Sequence, residues 1–375
     1  MSTSPKSSSI PKTYIENYIG MVQIPVGLMG PIDIQGKYAK GKFFVPMATT
    51  EGALVASYTR GARVISAAGG VHVSCLSDQM SRIPGFVLKN LSDARILADW
   101  CQSNIESLRK VASSTSGYID LINVRCHVEG HYMFLDLSFT TAEAAGQNMV
   151  TFGADAVCRF IEKTTPVKIK KWYIESNLSS DKKPSFYNQI NGRGKRVTAE
   201  ITIPRQIVRK LLHCKPEDIF NYSQMAHIAS MRSGAMGSQG HFSNAIAAIF
   251  IACGQDVACV AESSSGYSTS AVTDDEDLYV SVTLPNLVVG TVGGGTALPN
   301  QREYLDSMGC SGTNSARKLA EICAAVVLAG EISIASAIVA DHFTRAHLKY
   351  GRRKRKLNHK NSEILYKVEQ VAVNT

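Results

Sequence analysis

Between residues 86 and 175 the hydrophobic period switches repeatedly, and few folds are open to a chain that does this. A 3.6-residue repeat over 92–111 predicts a helix, and alternation over 118–128 and 132–139 predicts two strands. A second helical repeat follows over 146–162, then a further strand over 167–174. Helix, two strands, helix and strand in that order read as a split β-α-β unit, a small α+β domain inserted into a larger one.

The flanking segments supply that larger domain. The first fifty residues are extended and turn-rich, punctuated by Pro25, Gly27, Gly30 and Pro31. A helix is then signalled by Thr49, Thr50 and Glu51, with Leu54, Tyr58 and Ala62 at helical spacing up to Gly69 and Gly70, which puts Glu51 in the first helical turn. Beyond 175 a polar stretch over 176–196 reads as a long loop, either functional or mobile. Helices are expected over 205–214, 216–230 and 242–253, a strand over 278–284, and two closing helices over 315–329 and 332–348, the first preceded by a glycine-rich turn. The expected fold class is therefore α+β. Residues 1–15 form a flexible tail, 16–85 and 176–375 a large domain, and 86–175 the small one.

Composition removes several alternatives. With 45% hydrophobic and 19% charged residues the chain can bury a large core, so disorder, collagen and coiled coil are excluded. The apolar run at 245–253 is half a bilayer span and the later one is cut by Glu321 and Glu331, so no membrane helix is expected. The Ser-rich N-terminus has no apolar core or cleavage pattern, which argues for a cytoplasmic protein while leaving organelle targeting open. Nine cysteines with no C-x-x-C pair argue for reduced thiols and against a metal site. Lysine plus arginine exceed aspartate plus glutamate, 40 to 31, but residues 349–360 alone hold seven basic side chains and no acid. That run lacks interleaved aromatics, so nucleic acid is not the expected partner.

Individual polar residues are ambiguous on local grounds. Asp256 follows an apolar helix, near the negative end of its dipole, where an anion is disfavoured by about 0.3–1 kcal/mol and calls for a partner; an exposed loop acid is the competing reading. Lys182 and Lys183 in Asp-Lys-Lys-Pro offer oxyanion stabilisers or merely a solvated turn. His342 and His347 lie five apart, so they do not point one way as a metal pair would. The turn at 290–296 exposes backbone but matches no phosphate-binding fingerprint.

Seven strings taken together go further: Glu16-Asn17 with Gly20, IPVGLMGP (24–31), VPMATTEGALVAS (45–57), SSDKKP (179–184), FIACGQDVA (250–258), GTVGGGT (290–296) and HFTRAH (342–347). In order and spacing they resemble the hydroxymethylglutaryl-CoA reductase family over nearly the whole chain. The SSDKKP loop is similar to that of the eukaryote-type class rather than the shorter bacterial degradative one. The resemblance implies a large helix-centred domain with an inserted ferredoxin-like nicotinamide-binding domain, and NADPH-dependent reduction of 3-hydroxy-3-methylglutaryl-CoA to mevalonate and CoA. NADH is the less favoured cofactor.

Carried over position by position, the resemblance implies Glu51, Lys182, Asp256 and His347 as catalytic groups. Lys182 is expected to be buried between Glu51 and Asp256 as the oxyanion donor, with Glu51 moving a proton and His347 protonating the leaving thiolate. Arg82 resembles the arginine that grips the substrate carboxylate, and Ser57, Lys183, His241 and Asn244 match pocket positions. Glu143, Gly146, Gln147 and Asn148 correspond to the cofactor segment, with Glu143 one carbon longer than the family's aspartate, and Asn104 stands where NADP-using members carry an arginine. Glu175 replaces a small polar residue, and the segment 224–240 lacks the family's substrate-binding lysine. The family implies a homodimer or homotetramer with shared active sites. A CoA-ester-binding or regulatory paralogue is the alternative that the altered cofactor segment raises.

Overall fold

The computed structural model describes residues 15–344. Val26–Gly36 (β1) and Lys40–Ala48 (β2) form an antiparallel hairpin, followed by Leu54–Ala67 (α1) and the long Val71–Arg82 (β3). Gly85–Val87 (β4), Leu91–Ser103 (α2), Ile105–Ser113 (α3), Asp120–Glu129 (β5), Tyr132–Thr140 (β6), Gln147–Thr164 (α4) and Lys171–Tyr173 (β7) come next. The chain then runs through Phe186–Asn191 (α5), Gly194–Ile203 (β8), Arg205–Ile207 (α6), Pro216–Ser233 (α7), Gly237–Ser238 (β9), Phe242–Ala252 (α8), Val260–Ser263 (α9), Gly266–Val272 (β10), Leu278–Leu287 (β11), Pro299–Ser307 (α10) and Ser315–Val339 (α11).

The architecture is mixed α+β. One sheet has the order β2-β1-β3-β8-β11-β10-β9, antiparallel except for the β1/β3 and β10/β9 pairs. A second, fully antiparallel sheet has the order β7-β4-β6-β5, which numbered within the unit is 4-1-3-2, the ferredoxin-like arrangement. β3 joins the two: His72–Gln79 pairs with β8, and Met80–Arg82 pairs with β6. Arg82 thus stands at the seam where one sheet hands over to the other.

At the centre of the larger unit lies α11, with 19 of its 25 residues buried. It packs on β3, β8 and β11 from one side and on α1, α7 and α8 from the others. The two helices expected over 315–348 are, within the described residues, one continuous helix ending at Val339. Glu321 and Glu331 do not break it because each finds main-chain donors: the Tyr38 and Ala39 amides donate to Glu321 (2.8 and 2.7 Å), and the Gly240 and His241 amides to Glu331 (2.7 and 2.8 Å). By length and a mean hydropathy of 2.2 this helix could cross a bilayer, contrary to the expectation that no segment would. An unpaired carboxylate there would cost roughly 2.5–3.5 kcal/mol, whereas the protein interior supplies both acids with partners, as suits a core helix.

Other expectations shift for local reasons. The helix expected over 92–111 divides at Asn104, whose side-chain amide donates to the Trp100 carbonyl (2.8 Å) and closes α2. α1 begins at Leu54, after Ala53 in the left-handed region (φ 71°), so Glu51 precedes the helix rather than lying in its first turn. The stretch 176–196 is not a bare loop: Ser185 caps α5 by accepting from the Asn188 amide (3.2 Å), and the Asn188 side chain donates back to the Ser179 carbonyl (2.9 Å). The helix expected over 205–214 is a short α-turn running into a π-helix at Val208–Leu212.

α1 and α11 touch main chain to main chain through glycine. A Cβ on Gly61 would fall 1.8 Å from the Ala329 carbonyl oxygen, and one on Gly330 2.2 Å from the Tyr58 ring. Gly61→Ala is expected to destabilise the fold by at least about 1–3 kcal/mol, because backbone must move. Gly117→Ala, whose Cβ meets nothing within 4 Å, is the neutral control. Denaturant titration of the two variants checks this, and equal midpoints would refute the close packing.

Candidate active site

Two clusters of functional side chains form in one chain. The first centres on an ion pair between Lys182 Nζ and Asp256 Oδ2 at 3.1 Å. Lys182 sits on the SSDKKP turn in the left-handed region (φ 57°), its own amide donating to the buried Glu262 (3.2 Å). Asp256 follows α8 but opens a new 3₁₀ turn, where its Oδ1 accepts from the Ala258 amide (3.0 Å). This capping answers the unfavourable dipole of α8, since the acid sits at the positive end of the next turn. The Gln147 side-chain amide donates to Asp256 Oδ2 (3.3 Å) and to Cys259 Sγ (2.9 Å).

The hydrogen bond from Lys182 to Asp256 raises the lysine's pKa above its usual value, outweighing partial burial. Burial pushes the Asp256 pKa up, yet the bond from Lys182, the Ala258 amide and the Lys182 charge together hold it below the ordinary carboxylate range. Both partners stay ionised through neutrality. Within one chain the side chains are 44% and 37% exposed, so the chain by itself does not bury the expected ammonium. At that exposure the pair is worth about 0–1 kcal/mol in stability, too little to be its purpose.

The second cluster lines a cavity of about 390 Å³ between α1, α8 and α11. Glu51 Oε2 accepts from the Asn244 side-chain amide at 2.8 Å. His241, the residue before α8, holds Nδ1 3.0 Å from Glu331 and stacks on Tyr58 with ring centroids 5.0 Å apart. Ser57 Oγ meets Ser333 Oγ at 2.9 Å. Arg60 donates only to hydroxyl and carbonyl groups of Ser333 and Ser336, so among the described residues no carboxylate cancels its charge, and burial lowers its pKa. Among the described residues no hydrogen bond or ion pair joins Glu51 to Lys182 or Asp256, so the expected bracketing of the lysine by two acids is not present within one chain. His347 lies outside the described residues, as does the basic run at 349–360.

The remaining expected positions separate into three groups. Arg82, 9% exposed, pairs with Glu175 (2.7 Å) and Asp181 (3.5 Å); Asp181 in turn pairs with the fully buried Arg193 (2.8 Å). Lys183 points its Nζ to the Asp181 carbonyl (3.0 Å) and lines none of these contacts. Near the cofactor segment, Glu143 accepts from the Asn314 and Ala316 amides (both 2.7 Å) and from Ser315 Oγ (3.2 Å), so it caps α11 instead of facing open space. Asn104 is used up within α2, and its neighbour Arg109 pairs with Glu106 and donates to the Leu121 carbonyl.

What remains suits a dinucleotide. Gly146 (φ 89°) precedes α4, where a Cβ would lie 2.4 Å from Thr141, and no side chain caps that 18-residue helix. Its first amides are left without a side-chain acceptor, and Asn148 in that turn is exposed. The Glu143 carbonyl accepts from the Thr291 and Val292 amides, which docks the glycine-rich turn against this end, and nothing stands within 4 Å of a Cβ at Gly293 or Gly294. Gln147 links this end to Asp256. Sequence reasoning missed Glu331, Glu262 and Arg193, because no local pattern tells which buried acid or base orients a catalytic neighbour.

Solved structures share the fold: a class II 3-hydroxy-3-methylglutaryl-CoA reductase from Streptococcus pneumoniae bound to NADPH aligns with a TM-score of 0.72 at 22% identity, covering 88% of each chain. The 3-hydroxy-3-methylglutaryl-coenzyme A reductase of Aeropyrum pernix is 45% identical over 90% of this chain and 82% of its own length. That of Methanocaldococcus jannaschii is 43% identical over 91% and 85%, and rice reductase 1 is 38% identical over 89% and 64%. With the hydroxymethylglutaryl-coenzyme A reductase family model matching residues 2–352 as well, the chain belongs to that family.

Proposed function

We propose that this chain reduces 3-hydroxy-3-methylglutaryl-CoA to mevalonate and CoA with NADPH. The Lys182–Asp256 pair carries the reading: a charged ammonium, held by one acid and open to solvent, stands beside the uncapped end of α4. Two NADPH molecules bound in succession at that end would each supply one hydride. Each reduction builds negative charge on the acyl oxygen, and Lys182 holds that charge while Asp256 keeps the ammonium ionised and aimed. Glu51, steadied by Asn244, moves a proton to or from the same oxygen. His347 protonates the departing thiolate. Arg60, paired with no carboxylate among the described residues, places a guanidinium in the cavity that Glu51 also lines, where it suits an anionic group of the thioester.

NADPH over NADH and the eukaryote-type class are finer parts of the same proposal, supported by the neighbour bound to NADPH and by archaeal and plant relatives at 38–45% identity. Residues 86–175 bind the cofactor in this reading. Two chains share each site, one giving Glu51 and the other Lys182 and Asp256, which accounts for the separation of the two clusters. Identity to reductases over 90% of the chain favours turnover over the regulatory paralogue.

Lys182→Ala is expected to lower kcat for NADPH oxidation by about a hundredfold or more, read at 340 nm; retention of activity would sink the assignment. The pH profile gives a second check. Asp256 has a depressed pKa and loses the pair only as pH falls through that value; Lys182 has a raised one and loses it only as pH rises through its own. The pair therefore leaves kcat flat between about pH 4 and 10. Asp256→Asn should bring the alkaline limb down toward neutrality. Mixing inactive Glu51→Gln and Lys182→Ala chains by co-expression should restore part of the activity if sites are shared, and none if they are not.

A further inference from the structure

Arg82 is neutralised by its own chain. Two guanidiniums, Arg82 and Arg193, share Asp181 between them, at 3.5 and 2.8 Å. One positive charge is left over. Glu262, fully buried, stands 4.0 Å from Arg193 and makes no ion pair with Arg82 among the described residues. Glu175 supplies the balance, its Oε2 2.7 Å from Arg82 Nη1.

Geometry makes Glu175 the residue that solvent meets first. Its side chain is 29% exposed, that of Asp181, the other acid on Arg82, 23%, and that of Arg82 9%; Glu175 makes the shorter contact, so an anion reaching the guanidinium competes first with Glu175. The contact is through one nitrogen, and Arg82 Nε is buried with no partner, so this guanidinium is less satisfied than a bidentate carboxylate would leave it. Asn177, Ser180 and Lys182 all have φ between 50° and 72°, a left-handed conformation costly for such residues, so the loop after Glu175 can release strain by moving.

We propose that Glu175 is a tethered occupant of the carboxylate subsite on Arg82, so that an acyl chain with a terminal carboxylate binds only by displacing it. This rests on the reductase reading for its substrate, and it makes Glu175 a specificity-determining residue. A different role is open to it: Glu175 also accepts from the Asn177 amide (2.6 Å) and Ser179 Oγ (2.9 Å), bracing the loop that carries Lys182.

The two roles part in a comparison of 3-hydroxy-3-methylglutaryl-CoA with 3-hydroxy-3-methylbutyryl-CoA, which lacks the terminal carboxylate. In Glu175→Ser the kcat/KM preference for the carboxylate-bearing thioester should rise about tenfold or more, through KM, since a charge-assisted contact is freed for the ligand. Glu175→Gln, which keeps the loop acceptor but not the charge, should move the same way and serves if the serine variant misfolds by circular dichroism. A ratio that stays constant, whether both thioesters improve, worsen or stand still, overturns the proposal in favour of a loop brace. If the wild-type protein oxidises neither nicotinamide with either thioester, the reductase reading has failed instead. Calorimetric titration of free 3-hydroxy-3-methylglutarate then decides: tighter binding to Glu175→Ser than to wild type supports the subsite, and equal affinity, including none in both, overturns it.

Discussion

Three carboxylates, each accepting two main-chain amides, hold the molecule to its central helix. Glu143 reaches from the turn before α4 to the first amides of α11; Glu321 reaches out of α11 to the β1–β2 turn; Glu331 reaches to the residues that begin α8. A hydrogen bond to a charged acceptor contributes about 1.5–3 kcal/mol, and an unmet buried carboxylate costs more than that, so each clamp is expensive to open. The consequence is positional. The end of α4, the hairpin and His241 with Asn244 are all referred to one buried rod, though they come from segments nearly 200 residues apart.

That arrangement also explains which parts of the fold could be seen in the sequence. β5 and α4 keep a clean period because each buries one face, and β6 because its second buried face carries the polar Asp136 and Ser138; all three lie within a few residues of where the pattern puts them. α11 is apolar on nearly every side, so it has no period to read, and the acids that look like interruptions are its attachments. Glu143 misled in the same way: an acid in a cofactor-like string is indistinguishable from a helix cap until the helix is placed. The family resemblance named the chemical groups in the two clusters and set Lys182 between Glu51 and Asp256, but it did not place Asn244 on Glu51. That Lys182 meets Asp256 and Asn244 meets Glu51 depends on packing across more than 70 residues in each case.

Around the lysine the electrostatics form a chain of alternating sign. Glu175 meets Arg82, Arg82 meets Asp181, Asp181 meets Arg193, and Arg193 approaches Glu262, which receives the Lys182 amide. The buried members are those least able to move, because separating a buried pair leaves an uncompensated charge at a cost of about 3–5 kcal/mol. The two ends, Glu175 and Lys182, are the most exposed members, at 29% and 44%, with Asp181 at 23%. The buried arginines and Glu262 therefore fix where the SSDKKP turn is rooted, and in the proposed function the exposed ends exchange partners with the ligand.

In the proposed function Lys182 stabilises an oxyanion twice in one turnover, and a lysine with that task has conflicting needs. It must be charged before the carbonyl is polarised, yet it must not be so tightly paired that the substrate oxygen cannot compete for its protons. Deep burial with Asp256 would secure the first at the expense of the second, since the pair would strengthen as the local dielectric fell. Partial exposure settles the conflict: the hydrogen bond raises the lysine's pKa enough to keep it charged, while solvent screening keeps the pair weak enough to share. On the shared-site proposal, further desolvation arrives with the partner chain and the ligand, so the electrostatic gain is realised where the substrate oxygen binds.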